Sequence, residues 1–239
     1  MVVRAAALLA VLAVLSFYYG VSEDLPTLAQ WGNVAFIGLG LMPLTLVLVL
    51  LALPLWRTGP RELAVAAVAL VVLTVILEAA GLDVAANFVK IAAVATVAWW
   101  FLGFFEALSW IVLVAVLIIP VDSFSVARGP TKEIVKNQPQ VFDALSIAFP
   151  LPGLHSSAQL GLPDILFFSL FLAAAVRFGL RVGWTWLAMA LSFGTTLALA
   201  VAFDVSGLPA LPLLSAAFIL VNADILWRRY RERSAMPSK

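Results

Sequence analysis

Apolar residues in this chain come in long runs, broken by a few polar residues or a Pro-Gly pair, with no sustained alternation of apolar and polar positions. Runs of about 18–22 apolar residues match a helix that crosses a hydrocarbon core of roughly 30 Å at 1.5 Å per residue. The pattern predicts about eight spans, near Val2–Gly20, Val34–Leu55, Leu63–Ala80, Val84–Phe101, Phe105–Val126, Pro163–Phe178, Val182–Phe203 and Leu208–Leu226. Between the fourth and fifth, only Gly103 and Glu106 interrupt the apolar stretch. Trp31, Trp56, Trp99, Trp100, Trp184 and Trp227 fall near predicted helix ends. An amphipathic ring settles there, in the headgroup layer. No internal repeat is visible.

Composition agrees with this pattern. Of 239 residues 64% are hydrophobic and 11% charged, against about 25% charged in an ordinary soluble domain. The expected fold is an all-α polytopic transmembrane bundle, an integral multi-pass protein whose first partner is the lipid bilayer. A net charge of +1 gives no field suited to nucleic acid. The chain has no cysteine and one histidine, His155, so thiol chemistry and a multi-histidine metal centre are excluded and no cofactor is expected. The first run lacks a clear small-residue cleavage site, with Phe17, Tyr18 and Tyr19 crowding the position, and reads as a retained span.

Basic residues set the orientation. Arg4, Arg57 and Arg61, Arg177 to Arg181, and the tail "RRYRER" fall on one side of eight spans. Glu23, Asp24, Asp83 and Asp204 fall on the other. Both termini are therefore expected in the cytoplasm. Arg128, Lys132 and Lys136, in the long loop, dissent from this bias. That loop, roughly Arg128 to Gln159, is the main hydrophilic segment. "RGPTKEIVKNQPQ" suggests a short surface helix, and "AFPLPGLHSSAQLG" reads as irregular, mobile connection. His155 is expected there as a solvated side chain.

Two carboxylates lie in the apolar runs that flank this loop: Asp122 in "LIIPVDSFSV" and Asp164 in "LGLPDILFFSLF". A carboxylate at bilayer depth costs roughly 2.5–3.5 kcal/mol on insertion scales and is a functional candidate by default. Asp122 precedes the helix exit at Arg128 by six residues, about 9 Å along the axis, and Asp164 follows Gln159 by five, about 7–8 Å. Both depths are measured from the same face. The last span enters from that face with "SGLPALPLL", where Pro209 and Pro212 disfavour regular helix at Ala210 and Leu211. Non-helical backbone at such depth is tolerated where protein or a water-filled cavity surrounds it. Two adjacent carboxyls share a proton and titrate as a pair, the ionised one able to activate water and the protonated one to polarise a carbonyl.

These residues reach a family. "LGLPDILFFSLF" resembles the Gly-x-Gly-Asp motif of the presenilin and signal peptide peptidase family of intramembrane aspartyl proteases. "PVDSFSVARGPTKEIV" is similar to its first-aspartate helix, and "LPALP" to its Pro-Ala-Leu motif, in the family's order over Phe105 to Leu226. The resemblance implies a presenilin-like bundle, short and prokaryotic-like, in a cell membrane. It divides the chain into scaffold helices over 1–103 and a catalytic part over 104–239 with the long loop at 128–159. It makes Asp122 and Asp164 the catalytic dyad of an aspartic endopeptidase acting on transmembrane protein or peptide substrates. Gly161, Leu162, Pro163, Pro209, Ala210 and Leu211 would shape the site and hold an extended substrate strand. With the loop outside, the orientation matches the signal-peptide-peptidase sense. Val121 stands where the family has tyrosine, and Pro163 where it has glycine.

Two other readings remain at this level: a non-catalytic relative that binds membrane segments, motivated by Val121 and Pro163, and a proton- or cation-coupled transporter, motivated by acidic residues beside broken helices. Among the remaining polar residues, Glu78 and Asp224 are expected to be solvated at helix ends, Lys90 to snorkel toward Asp83, and Asn222 to bond between helices. Glu106 lies at a tight helix junction.

Overall fold

The computed structural model describes residues 2–128, 139–205 and 207–234. Ten helices and one β-hairpin are present among them. Helix α1 is Val2–Val21 and α2 is Gln30–Arg57. Helices α3, Pro60–Ala79, and α4, Asp83–Leu102, form an antiparallel pair around the left-handed Gly81 (φ 68°). Helix α5 is Leu108–Arg128 and α6 is the short Pro139–Ala144. Helices α7, Leu162–Arg177, and α8, Val182–Ala202, follow the hairpin. Helices α9, Leu211–Val221, and α10, Ala223–Ser234, close the chain.

Six helices are long and apolar enough to cross a membrane, and a seventh arises if α9 and α10, bent by 64°, count as one broken span. The shortfall from eight lies in α7. Its 16 residues reach about 24 Å, short of the hydrocarbon thickness.

Helix α7 is the centre of the bundle. Ile165 and the whole run from Phe168 to Ala175 are buried, so this helix has no lipid-facing stripe. Helices α4, α8 and α9 surround it. Small residues let α4 approach: Ala86, Ala93, Ala95 and Ala98 are all buried. Phe171 stacks on Phe218 of α9 at 4.8 Å between ring centroids, and Phe168 meets Phe193 of α8 at 6.1 Å. Lipid tails are as apolar as leucine, so such shape-matched packing is what holds helices together in a bilayer. One core cluster runs through residues of both halves of the chain.

At the opposite extreme, α3 packs against α4 and buries only Leu63 and Ala67. Helix α2 widens into a π-helix over Phe36–Leu41, next to Pro43, which has no N–H to give the carbonyl of Leu39. Within that stretch Gly38 meets Gly194 of α8 backbone to backbone. A Cβ on Gly38 would lie 2.9 Å from the Gly194 Cα, and one on Gly194 would lie 2.6 Å from the Gly38 carbonyl oxygen.

The segment read as irregular connection is instead a β-hairpin. Strand β1, Ser146–Pro150, pairs antiparallel with β2, Ser157–Gly161, with Ser146 opposite Gly161 and Ala148 opposite Gln159. Ile147, Phe149 and Leu160 are buried on one face. Side chains distant in sequence moor β1. The Tyr18 hydroxyl donates to the Pro150 carbonyl at 2.7 Å and the Tyr19 hydroxyl to the Ala148 carbonyl at 2.6 Å. Asn87 grips Ala148 twice: its amide nitrogen donates to the Ala148 carbonyl and its oxygen accepts from the Ala148 N–H, both at 2.9 Å. The hairpin tip is held by the Gly153 N–H on the Ser22 carbonyl, at 2.7 Å. Gly153 is itself left-handed (φ 68°), and a Cβ there would run into Leu25 and Thr27.

Candidate active site

Asp122 and Asp164 reach the site from very different elements. Asp122 sits on α5, two residues after Pro120, an interior proline that leaves the Val116 carbonyl without its helical donor. Asp164 sits in the first turn of α7, directly after β2. The chain turns into this helix at Gly161, whose extended backbone (φ −62°, ψ 145°) precedes the first helical residue, Leu162. The Asp164 Oδ2 accepts from the Gly161 N–H at 3.1 Å, binding the carboxylate to the residue that starts the helix. Leu162 donates its N–H to the Leu145 carbonyl at 2.9 Å, so the strand-to-helix corner is tied at both residues. Pro163 takes the second helical position, where no intrahelical N–H bond is required and its fixed φ suits a helix start.

The Pro-Ala-Leu segment completes the arrangement. Leu208, Pro209 and Ala210 are non-helical, and α9 begins at Leu211 with Pro212 in its second position. Ala210 lies outside the helix, as the two prolines require, whereas Leu211 is its first residue. The Leu211 N–H, one of the unpaired donors of a helix start, reaches the Asp122 Oδ2 at 3.1 Å. A carboxylate 89 positions away in the chain thus takes the place of a local cap, at the helix end whose dipole favours negative charge.

The two carboxyls are carried by α5 and α7, helices that are in contact. Among the described residues no hydrogen bond joins them; each gives Oδ2 to a different backbone N–H. Of the expected site residues, Asp164 is bonded to Gly161 and Asp122 to Leu211, while Leu162, Pro163 and Ala210 lie at the starts of α7 and α9. Pro209 adjoins Ala210 in the unwound stretch. No three His, Asp or Glu side chains converge in a metal-binding arrangement among the described residues.

A second polar cluster lies behind the hairpin, and the sequence pattern does not mark it as one. Lys90 is buried, pairs with Glu78 at 2.6 Å, and donates to the carbonyls of Asp143 and Ser146 at 3.2 and 3.4 Å. Snorkelling of Lys90 to water is replaced by this pair, because the hairpin covers the lysine and supplies carbonyl acceptors. Glu78 stays partly exposed at the end of α3, as expected. Ser146 donates to Gln159, and Gln159 to Asp143, each at 2.6 Å. These side chains, with Tyr19, Asp83 and Asn87, line a cavity of about 750 Å³. The signal available in the sequence was Asn87 and Lys90 three residues apart on one apolar helix face.

Asn222 makes the expected interhelical bond, donating to Thr185 Oγ1 at 2.9 Å and accepting from the Arg181 N–H at 3.0 Å. Asp224 is exposed and paired with Arg181. His155 is exposed and 3.0 Å from Glu23. Glu106 is exposed between α4 and α5. Most of the "RGPTKEIVKNQPQ" segment, with Lys132 and Lys136, lies outside the described residues. No family model matches the chain, and no curated protein matches it significantly.

Proposed function

We propose that this protein is an intramembrane aspartyl protease that hydrolyses peptide bonds in transmembrane segments, with Asp122 and Asp164 as its dyad. The observation that carries the reading is the placement of the two aspartates on touching helices, with the Leu211 N–H of the unwound segment on one of them and the Gly161 N–H on the other. Placed between the carboxyls, a water would give its proton to the ionised one as its oxygen bonds to the scissile carbonyl carbon. The protonated carboxyl would donate to the carbonyl oxygen. Collapse of the resulting gem-diol breaks the C–N bond, the leaving amine taking a proton from the dyad.

Strand β2 suggests how the substrate backbone is offered. Both backbone groups of Ala148 are taken by Asn87 and Tyr19, so Ala148 and Gln159 form a non-hydrogen-bonded pair and the Gln159 backbone groups point away from β1. Among the described residues the sheet has no third strand. An unwound substrate strand added to that edge is led to Gly161, three residues from Asp164.

The test is cleavage of a synthetic transmembrane peptide by purified, reconstituted protein. Asp122→Ala and Asp164→Ala should each lower the rate at least about 10²-fold, and the wild-type rate should be bell-shaped in pH, since one carboxyl must be ionised and the other protonated. Cleavage at the wild-type rate by both variants would end the proposal. Ion flux in proteoliposomes, lost in Asp122→Asn without any proteolysis, would replace it with the transporter reading.

A further inference from the structure

The last helix does not continue the membrane crossing. Leu211 shares the depth of Asp122, about 9 Å below the long-loop surface, and the 11 residues of α9 advance about 16 Å further. Together they cover about 25 of roughly 30 Å of hydrocarbon, so α9 ends near the opposite headgroup layer. There the chain turns by 64° into α10.

The turn is built by specific residues. Asn222, fully buried, donates to the Phe218 carbonyl and to Thr185 and receives the Arg181 N–H. Arg181 then clamps the start of α10, donating to both Asp224 carboxylate oxygens at 2.8 and 2.7 Å and to the Val221 carbonyl at 2.9 Å. Ile225 and Leu226 pack against the bundle core, and the Arg229 guanidinium lies beside Gly179 in the α7–α8 turn.

The outward face has a different character. Trp227 and Tyr230 are exposed and stack on each other at 5.9 Å, and the Arg231 guanidinium lies 5.0 Å from the Trp227 ring centre. From Ala223 to Ser234 the sequence carries Arg228, Arg229, Arg231 and Arg233 against Asp224 and Glu232, and Asp224 is already matched by Arg181. Arginine flanking exposed tryptophan and tyrosine on a helix bent off the spanning direction suits a surface of phosphate headgroups over an apolar layer. Arg4, Arg57 and Arg61 fall on the same side in the eight-span reading.

We infer that α10 lies in the membrane plane and docks on anionic phospholipid headgroups, through Arg228 and Arg231 with Trp227 and Tyr230 as the apolar contact. The inference does not depend on proteolytic activity. The absence of cysteine from the chain makes a clean probe available: Glu232→Cys in the full-length protein, carrying an environment-sensitive fluorophore, in nanodiscs that contain a headgroup-attached nitroxide quencher. Discs of phosphatidylcholine with one quarter phosphatidylglycerol should quench the label at least two-fold more than discs of phosphatidylcholine alone, and about 0.5 M salt should remove most of that excess by screening. Replacing Arg228 and Arg231 by Gln should abolish the excess. If quenching is the same in both lipids, the inference fails, and it fails equally if the excess survives both salt and substitution. The salt arm keeps every arginine of the helix, so misfolding of the double variant does not decide the outcome.

Discussion

The two aspartates of the candidate site stand on helices that contrast in almost every respect except depth. Helix α7, with Asp164, is enclosed on all sides by α4, α8 and α9, and its start is tied to the hairpin through Gly161 and Leu162. Helix α5, with Asp122, buries Leu108, Ile111 and Ala115, while Val116, Leu117, Val121 and Phe124 face outward. It packs chiefly on α9. One carboxylate is therefore set in a fixed pillar and the other on a lightly held outer helix. With fewer of its residues buried, α5 is less closely packed than α7. On the proposed function, a site that admits a substrate helix would gain from such asymmetry, one half keeping the geometry and the other giving access.

On the proposed function, removing either carboxyl should have the largest effect and should erase the contrast in activity, because both would act in one step. Asp122→Ala and Asp164→Ala should lose at least about 10²-fold in cleavage rate alike. Packing should restore the contrast. Phe171→Ala in the pillar removes a stacked ring and should cost on the order of 2 kcal/mol from the cavity alone, measured by reversible unfolding in mixed micelles. Phe124→Ala on the outer helix should stay within about 0.5 kcal/mol. Equal losses would mean that α5 is not the loose partner.

A smaller effect tests how the pillar is tied. Asn87→Ala leaves the Ala148 N–H without its partner and removes one of two bonds to its carbonyl. It should cost about 1–2 kcal/mol and raise hydrogen exchange across 146–161 while leaving α5 unchanged. The smallest belongs to Pro163→Gly. Proline fits the first turn of α7, so glycine there should only loosen the unfolded chain, lowering stability by about 0.4–1 kcal/mol and changing the cleavage rate less than three-fold. A large gain in rate would identify Pro163 as an obstruction to catalysis.

Much of this contrast was legible in the sequence and part of it was not. Hydropathy runs located six spans and a bent seventh, because run length depends on local chain geometry. The unwound start of α9 followed from Pro209 and Pro212 for the same reason. The hairpin did not follow. Its strands have only five residues each, interrupted by Pro150 and Gly153, and they are fixed by Tyr18, Tyr19 and Asn87 from 61 to 132 positions away. Lys90 was misread as a snorkelling residue because its acceptors belong to that hairpin. The enclosure of α7 was hidden too, since an apolar helix facing lipid and one facing protein have much the same composition.

The backbone contact between Gly38 and Gly194 has a mechanical consequence. Two helices joined with no side chain between them cannot slide or part without losing contact along the whole crossing, so α2 and α8 act as a weld. The weld fixes that flank of the bundle and leaves the flank beyond α5 as its seam. Bulk added at the weld, as in Gly194→Ala, should spread the fixed side and destabilise the protein. A crosslink that staples α5 to α9 should instead keep the fold and shut the door.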